Sequence, residues 1–284
     1  MKVIEFETRV KSRSTVLHLV PIGDIHWGTI NCDEDKLIET IKWVKEKPDT
    51  YTILMGDMAE YINLNDPRFD PSTLHPTCRD HLDNLASFQT EAIIRMFWPI
   101  RHRIMGILEG NHEDVIRRKY HFNPTDVMAE RLGVPNLTYN AFIRWHIHRT
   151  PKGRQQTNTL VIYASHGFGA GRYAGGKVNN LLNLARGFEA DIYLVGHVHE
   201  KIGKDADRLY VTHQGDPHVV ARKKIFAITG CFLKVYEENS RNYGERHMYD
   251  PTPTGVVKIR IEPFRSSRIG GVTHEQPPHL HISE

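Results

Sequence analysis

The sequence predicts a single α/β domain in which strands and helices alternate. Short apolar runs recur along the chain, stretches with helical spacing of apolar residues lie between several of them, and no repeat or linker divides the sequence. The chain has 284 residues. A chain of this length can bury a full hydrophobic core without help from a disulfide or a structural metal.

The composition is that of an ordinary globular protein, with 39% apolar and 25% charged residues. Lysine and arginine number 37 and aspartate and glutamate 34, which gives a net charge of +3. So small an excess does not indicate a dedicated nucleic-acid-binding protein. The 18 histidines stand out, because histidine is the commonest metal ligand.

Targeting and membrane-spanning segments are not predicted. The N-terminal residues MKVIEFETRV contain no apolar stretch typical of a signal peptide. No run approaches the roughly 20 apolar residues of a membrane helix, so we expect no membrane partner.

Cys32, Cys78 and Cys231 are widely spaced and form no CxxC pair. We therefore expect a reduced, cytoplasmic location.

The first part of the chain predicts the order strand, strand, helix, strand. Apolar and polar residues alternate over 4–9, and residues 15–22 are mostly apolar. An acidic start followed by apolar residues at helical spacing predicts a helix that Pro48 ends. Residues 51–55, YTILM, predict a buried strand that ends at Gly56.

Residues 61–80 are rich in turn signals and predict an excursion from the core, either a lid over a site or a peripheral loop.

We expect the domain to span residues 1–262, and residues 263–284 to form a loosely ordered tail. The other predicted elements are helices at 81–97, 124–132 (capped by Gly133) and 177–186, and strands at 103–108, 142–148, 159–164 and 191–195 and near 207–212, 224–229 and 255–261.

Five short segments place metal-type ligands directly after predicted strands. Strand ends hold loop side chains firmly. Asp24 and His26 are two residues apart, as are His197 and His199, so each pair shares a face if strand geometry persists. A glycine in each segment lets the backbone approach a metal or an anion. The segments are Gly23–His26, Gly56–Asp57, Gly110–Glu113, Ser165–Gly167 and Gly196–His199.

The donors in these segments comprise at least three imidazoles, two carboxylates and one amide oxygen. This set exceeds the needs of one tetrahedral ion and suits two first-row cations in five- or six-fold coordination. Two ions about 3.5–4 Å apart that share an attacking hydroxide are a standard arrangement for phosphate-ester hydrolysis. We interpret two further His-x-His pairs as structural: His146 and His148 lie on the polar face of a predicted strand, and His279 and His281 lie in the tail.

The ordered series GDIH, GDMAE, GNHE, SHG and GHVH resembles the motifs of the calcineurin-like metallophosphoesterase superfamily, which are D-x-H, G-D-x-x-D, G-N-H-D/E, a lone H and G-H-x-H. The match runs from Asp24 to His199, about two-thirds of the chain. The resemblance implies a four-layer αββα sandwich of two mixed β-sheets flanked by helices. One departure is Glu60, where the family usually has Asp. That position is not usually a ligand, but it can orient His112.

The resemblance also implies seven metal ligands and one proton donor. Asp24, His26 and His199 would bind the first metal, Asn111, His166 and His197 the second, and Asp57 would bridge the two. His112 would face the substrate, stabilise the transition state and protonate the leaving oxygen, a role that suits an imidazole near neutral pH.

The expected cofactors are two divalent cations. Manganese is our first choice, with iron, zinc, nickel, cobalt or magnesium as alternatives, because oxygen and nitrogen donors without a thiolate accept several ions. The expected activity is hydrolysis of phosphodiesters such as nucleic acids or nucleotides. Alternatives are a phosphomonoesterase or protein phosphatase with the same metals, a non-catalytic scaffold, which the complete ligand set disfavours, and a metal-dependent amide hydrolase, against which GNHE argues.

Three arginines are candidate substrate contacts. Arg117 and Arg118 follow GNHE by one helical turn and could steer a polyanion towards the metals, or form a solvated helix face. Arg172 lies in the glycine-rich run GFGAGRYAGG, which could contact a phosphate or serve as a flexible turn. That run matches neither a Walker loop nor a dinucleotide-binding fingerprint.

Overall fold

Two large mixed sheets and a separate hairpin contain the strands in the computed structural model of the chain. The hairpin pairs β13 (Arg265–Ile269) with β14 (Val272–Gln276). The structure describes residues 1–167, 169, 174–211, 217–236, 243–246, 248–269 and 272–283.

The six-stranded sheet has the strand order β15-β12-β2-β3-β4-β5. Its four strands from β2 to β5 run parallel, and β12 and β15 are antiparallel additions beside β2. Its strands are β2 (Leu17–Ile22), β3 (Thr50–Leu54), β4 (Ile104–Leu108), β5 (Asn136–Thr138), β12 (Lys258–Glu262) and β15 (His279–Ser283).

The seven-stranded sheet has the order β1-β6-β7-β8-β10-β11, with β9 also paired to β10. The strands β7, β8 and β10 run parallel to one another, so their carboxyl ends lie at one edge. Its strands are β1 (Lys2–Arg9), β6 (Asn140–Arg149), β7 (Gln156–Ser165), β8 (Ile192–Val195), β9 (Lys201–Val211), β10 (Val219–Cys231) and β11 (Gly255–Val256).

The two sheets pack face to face and helices cover their outer faces. Leu19 and Ile53 of one sheet and Trp145 of the other are fully buried in the apolar core between the sheets. A second core lies between the six-stranded sheet and the helices α1, α2 and α4, and a third lies under α5. This is the four-layer αββα arrangement that the motif series implied. The helices are α1 (Glu34–Glu46), α2 (Leu85–Phe97), α3 (Asn111–Tyr120), α4 (Pro124–Leu132), α5 (Ala174–Gly187) and α6 (Tyr243–Arg246).

Local sequence signals account for the ends of two helices. The side chain of Asp33 caps α1 by accepting a hydrogen bond from the backbone N–H of Lys36 (3.2 Å). Pro124 occupies the first turn of α4, and Gly133 ends that helix with a left-handed φ of +70°. These ends coincide with the predicted ones.

The C-terminal segment differs from the prediction of a loosely ordered tail. The strand β15 pairs along its whole length with β12 and forms the edge of the six-stranded sheet. Leu280 of β15 is 2% exposed and packs into the core between the sheets. A single buried leucine between two histidines is a weak pattern in the sequence, and the pairing with β12 decides the structure of this segment.

The excursion at 61–80 lies beside the loop that follows β2. Its 3₁₀ turns at Pro71–Thr73 and Pro76–His81 replace regular elements. The N–H of Ile30 donates to the Thr73 carbonyl and the N–H of His75 donates to the Gly28 carbonyl, both at 2.9 Å. The excursion is therefore joined to the loop that carries Asp24 and His26.

Among the helices of the described ranges, none combines the length and the apolar character needed to cross a bilayer. Cys32, Cys78 and Cys231 are all buried and carry free thiols.

We predict that Leu280→Ala lowers the free energy of unfolding by about 2–5 kcal/mol, the usual range for removing a buried leucine side chain. Urea unfolding followed by circular dichroism measures this loss. The control is Leu209→Ala, since Leu209 is 72% exposed, and its effect should stay within about 0.5 kcal/mol. Equal stability of the Leu280 variant and the wild type would show that β15 contributes nothing to the core.

Candidate metal centre

The five ligand-bearing segments meet because they follow the carboxyl ends of β2, β3, β4, β7 and β8. Backbone hydrogen bonds join the first two segments: the N–H of Asp24 donates to the Gly56 carbonyl and that of Ile25 donates to the Asp57 carbonyl, both at 2.9 Å. The carboxylate of Asp24 in turn accepts the backbone N–H of His197 at 2.9 Å. This last contact joins the two sheets at the site.

Asp24, His26 and His199 form the first cluster, in which one ligand atom from each lies within 4.8 Å of the others. The Nε2 atoms of His26 and His199 are 3.2 Å apart, and His199 Nε2 is 3.4 Å from Asp24 Oδ1. Neighbouring ligands of an ion with bonds of about 2.1 Å are themselves about 3 Å apart. The spacing of this cluster therefore fits a divalent cation.

Asp57, His166 and His197 form the second cluster by the same distance criterion. His166 Nε2 lies 3.2 Å from Asn111 Oδ1, so the exposed amide at the start of α3 joins this cluster. The buried Nδ1 of His197 has no hydrogen-bond partner among the described residues. A buried nitrogen without a partner is unfavourable, and a bound cation would satisfy it.

Asp57 lies between the clusters. Its Oδ2 is 3.3 Å from His166 Nε2 and 4.0 Å from His26 Nε2. Its Oδ1 accepts the backbone N–H of His112 at 2.9 Å. The carboxylate is buried, and its position allows one oxygen to face both clusters. The residues present therefore fit two cations with a shared carboxylate ligand.

Hydrogen bonds on the side away from the clusters fix the orientation of two imidazoles. His166 Nδ1 donates to the Met55 carbonyl at 2.8 Å, and His26 Nδ1 donates to the Glu60 carboxylate at 2.8 Å. In both rings Nε2 is left to face the cluster, as is usual for histidines that bind a metal.

Glu60, which departs from the usual Asp of the motif, has two separate roles. Its side chain orients His26, while its backbone carbonyl accepts a hydrogen bond from Nδ1 of His112. The orienting contact to His112 thus comes from the main chain. A change of side chain from Asp to Glu leaves that contact in place.

His112 is buried beside the clusters, and its ring meets that of His26 edge-on at 4.7 Å. Its Nε2 has no hydrogen-bond partner among the described residues. Burial lowers the pKa of His112, but the negative charges of Asp57 and Glu60 outweigh burial and raise the pKa above its ordinary value. An imidazole at this position is suited to donating a proton near neutral pH.

The pKa values of the ligand residues reflect the same crowding of charge. Burial opposes ionisation of Asp57, yet the imidazoles of His166 and His112 hold its pKa well below the usual range. Burial likewise opposes protonation of His166, but Asp57 raises its pKa to about 10. Burial lowers the pKa of both His26 and His197, which favours the neutral imidazole that binds metals.

Five candidate ligands adopt the left-handed backbone region, which is uncommon for residues other than glycine. Such conformations persist only where the surrounding structure holds them, and they are concentrated at functional sites. The five residues and their φ angles are Asp24 (48°), His26 (53°), Asp57 (49°), His197 (66°) and His199 (58°).

Gly110 is required by the close approach of the two loops after β3 and β4. A Cβ atom at Gly110 would lie 2.2 Å from Asp57 Oδ1 and 2.3 Å from the Asp57 nitrogen. Any side chain at this position would therefore displace the central carboxylate.

Glu113 is a residue of the site that the sequence did not reveal as important. Its buried carboxylate accepts backbone N–H groups from Asp57 (3.0 Å), Met58 (2.8 Å) and Gly110 (3.0 Å). Burial, together with the charge of Asp57, raises the pKa of Glu113 to about 7. The acidic residue at the fourth position of GNHE was the available sequence signal. That residue, Glu113, belongs to neither ligand cluster and therefore needs another role.

Arg117 and Arg118, two of the three predicted arginines, pair with neighbouring side chains outside the two clusters. Arg117 donates to Glu109 (3.0 Å) and Tyr139 (2.6 Å), and Arg118 pairs with Asp114 (2.7 Å) on the exposed face of α3. Their carboxylate partners explain why these side chains point along the helix. Arg172 lies outside the described residues.

Comparison with known proteins identifies the family to which this fold and these candidate clusters belong. The sequence model described as calcineurin-like phosphoesterase matches residues 17–201. This chain belongs to that family. Its members usually bind divalent metals, and the chain supplies clusters of histidine and aspartate for them.

A solved structure, that of a Vps29 double mutant from Entamoeba histolytica, resembles this chain with 11% identity and a TM-score of 0.35, over 95% of this chain and 100% of that one. No curated protein matches the sequence.

We predict that Glu113→Gln destabilises the fold by about 1–3 kcal/mol, because the NH2 group of glutamine cannot accept the backbone N–H groups that face one of the two carboxylate oxygens. Chemical unfolding measures the change. The matched control is Glu130→Gln on the exposed face of α4, which should change stability by less than about 0.5 kcal/mol. Equal effects of the two substitutions would contradict the role of Glu113 as the link between the loops.

Proposed function

We propose that this protein is a dinuclear-metal phosphoesterase that hydrolyses phosphodiester bonds. The observation that carries the proposal is the position of Asp57 between two clusters of ligand atoms, with Oδ2 3.3 Å from His166 and 4.0 Å from His26. One carboxylate facing two sets of imidazoles is the arrangement expected of a shared ligand.

The proposed ligands are Asp24, His26 and His199 for one cation and Asn111, His166 and His197 for the other, with Asp57 shared. When bound, two divalent cations supply activation of water and neutralise charge on the phosphoryl group. The donors are oxygen and nitrogen atoms without a thiolate, and we propose manganese as the preferred ion. The neutral amide of Asn111 limits the negative charge that faces an anionic substrate.

The proposed catalytic residue is His112. Its Nδ1 is held by the Glu60 carbonyl, which leaves Nε2 to face a substrate. An imidazole titrates near neutral pH and can therefore donate a proton to a leaving oxygen. Hydrogen bonding to the main chain keeps the ring in one orientation while the proton moves.

The substrate class we propose is a diester of the nucleic-acid or nucleotide type, towards which the small net charge of +3 leans only slightly. A phosphomonoesterase or protein phosphatase would use the same cations, and relative rates on a bis-aryl and a mono-aryl phosphate separate the two. A non-catalytic scaffold has no need for a complete ligand set. The five left-handed ligands described above favour the enzyme.

Metal removal tests the proposal. We predict that dialysis against EDTA abolishes hydrolysis of bis-p-nitrophenyl phosphate and that manganese restores it, with two ions per chain by elemental analysis. Single- and double-stranded DNA and RNA, cyclic nucleotides and monoesters complete the substrate panel. Full activity in excess EDTA, or a metal-loaded protein inactive on the whole panel, would overturn the proposal.

We predict that His112→Ala keeps both metals and lowers kcat by about 10²–10⁴-fold on a dinucleotide, the usual value of general acid catalysis. The loss should be smaller on an aryl diester, because a good leaving group needs less protonation. The matched control is His102→Ala, a histidine on the exposed surface before β4. Loss of metal from the His112 variant would make His112 a ligand, and unchanged rates on both substrates would make it structural.

A further inference from the structure

Tyr139 is an exposed aromatic residue at the rim of the second ligand cluster. It lies between β5 and β6, and its backbone carbonyl accepts the N–H of His166 at 3.1 Å. The Nε2 atom of His166 in turn lies 3.2 Å from Asn111 Oδ1. The main chain of Tyr139 is therefore bonded directly to a residue of that cluster.

The hydroxyl of Tyr139 is fixed on the face of α3 that carries Asn111. It donates to Asp114 Oδ1 at 2.7 Å and accepts from Arg117 at 2.6 Å. Asp114 is three residues beyond Asn111, and helical residues at this spacing lie on one face, about 5–6 Å apart. The phenol ring therefore spans the gap between the strand end at His166 and the first turn of α3.

The backbone that presents Tyr139 is held in an uncommon conformation. Thr138 has a φ of +60°, in the left-handed region where β-branched residues are rare. Its N–H donates to Asn136 Oδ1 at 2.7 Å, and its carbonyl accepts the N–H of Glu109 at 2.9 Å. Backbone of this kind is concentrated at functional sites, and here it lies directly before the exposed tyrosine.

The ring of Tyr139 is anchored at its hydroxyl and remains accessible. The residue is 49% exposed, and no other aromatic ring packs against it within the described ranges. Because the hydroxyl already donates and accepts, the apolar ring face is what Tyr139 offers to a ligand. Every nucleobase has a π-face, so stacking on such a ring suits a nucleotide whatever its base.

We propose that Tyr139 stacks against the base of the nucleoside that stays attached to the phosphate during hydrolysis. The proposal rests on the proposed function, in which His112 protonates the leaving oxygen. His112 meets the ring of His26 in the first cluster at 4.7 Å, whereas Tyr139 is bonded to His166 in the second. The leaving group and the stacked base would therefore lie on different sides of the phosphate.

Two esters with the same leaving group test the proposal. The manganese-loaded enzyme is assayed on the p-nitrophenyl ester of thymidine 5′-monophosphate and on methyl p-nitrophenyl phosphate, whose retained group has no base. We expect kcat/KM to be about tenfold or more higher on the nucleotide ester, the size of effect that one stacked base gives. Equal values on the two esters would overturn the proposal.

Tyr139→Leu and Tyr139→Phe separate the ring from the hydroxyl. Tyr139→Leu removes both and should bring the ratio of the two kcat/KM values close to one. Tyr139→Phe loses only the bonds to Asp114 and Arg117 and should keep the preference for the nucleotide ester. A preference that survives in Tyr139→Leu, or that is lost in both variants, would reject stacking by the ring.

Trp98→Leu is the matched control for an exposed aromatic residue. Trp98 is 47% exposed and lies before β4, at the opposite end of that strand from the ligand segments. Its loss should leave the preference unchanged. Both Tyr139 variants should retain two ions per chain by elemental analysis, and loss of metal from them would make Tyr139 a support of His166 instead of a substrate contact.

Calorimetry measures the same effect without turnover. Thymidine 5′-monophosphate and methyl phosphate are titrated into the wild type and into Tyr139→Leu. We expect the nucleotide to bind about tenfold or more tightly than methyl phosphate to the wild type, and this difference to vanish in the variant. If neither ester is hydrolysed, the proposed function fails, while equal affinity of the two ligands for the wild type rejects the role of Tyr139 independently.

Discussion

The carboxylate of Glu113 joins the two loops on which the geometry of the centre depends. It accepts N–H groups from Asp57 and Met58 after β3 and from Gly110 after β4. Asp57 then accepts the N–H of His112 with the oxygen that does not face His166. The central carboxylate is therefore held from both loops, and the two clusters can share it only because this link exists.

The left-handed residues of the centre keep their backbone conformation only because hydrogen bonds such as those of Glu113 hold the loops in place. Conformations of this kind cost about 1–3 kcal/mol each, and five of them together approach the whole net stability of a typical domain. The apolar cores on both faces of the six-stranded sheet compensate for much of this strain. A bound cation would stabilise the folded state further, because it binds the assembled cluster and not the unfolded chain.

Predictions that depended on local patterns agree with the structure. The acidic start of α1, its stop before Pro48 and the left-handed Gly133 are set by neighbouring residues, so the sequence contains them fully. The layer order depends on contacts between distant strands, and it was available only from the motif series. The pairing of β15 with β12 was missed for the same reason, since a short alternation such as HLHIS shows no partner.

The candidate ligands could be identified in the sequence, but the groups that orient them could not. Asp24, His26 and the other candidate ligands directly follow strands, so the sequence marks them as candidates, while their meeting across two sheets was available only from the motif series. The hydrogen bonds that orient them cannot be read from the sequence. Glu60 was noted as a departure from a motif, yet its carboxylate orients His26 and its carbonyl orients His112. Which of the two groups acts on which imidazole depends on the three-dimensional path of the loop.

The choice of arginines shows how proximity in sequence can mislead. The helix α3 begins at the centre, but the guanidinium groups of Arg117 and Arg118 are paired with Glu109 and Asp114. Distance along the sequence from a motif therefore does not show whether a charged side chain faces the clusters.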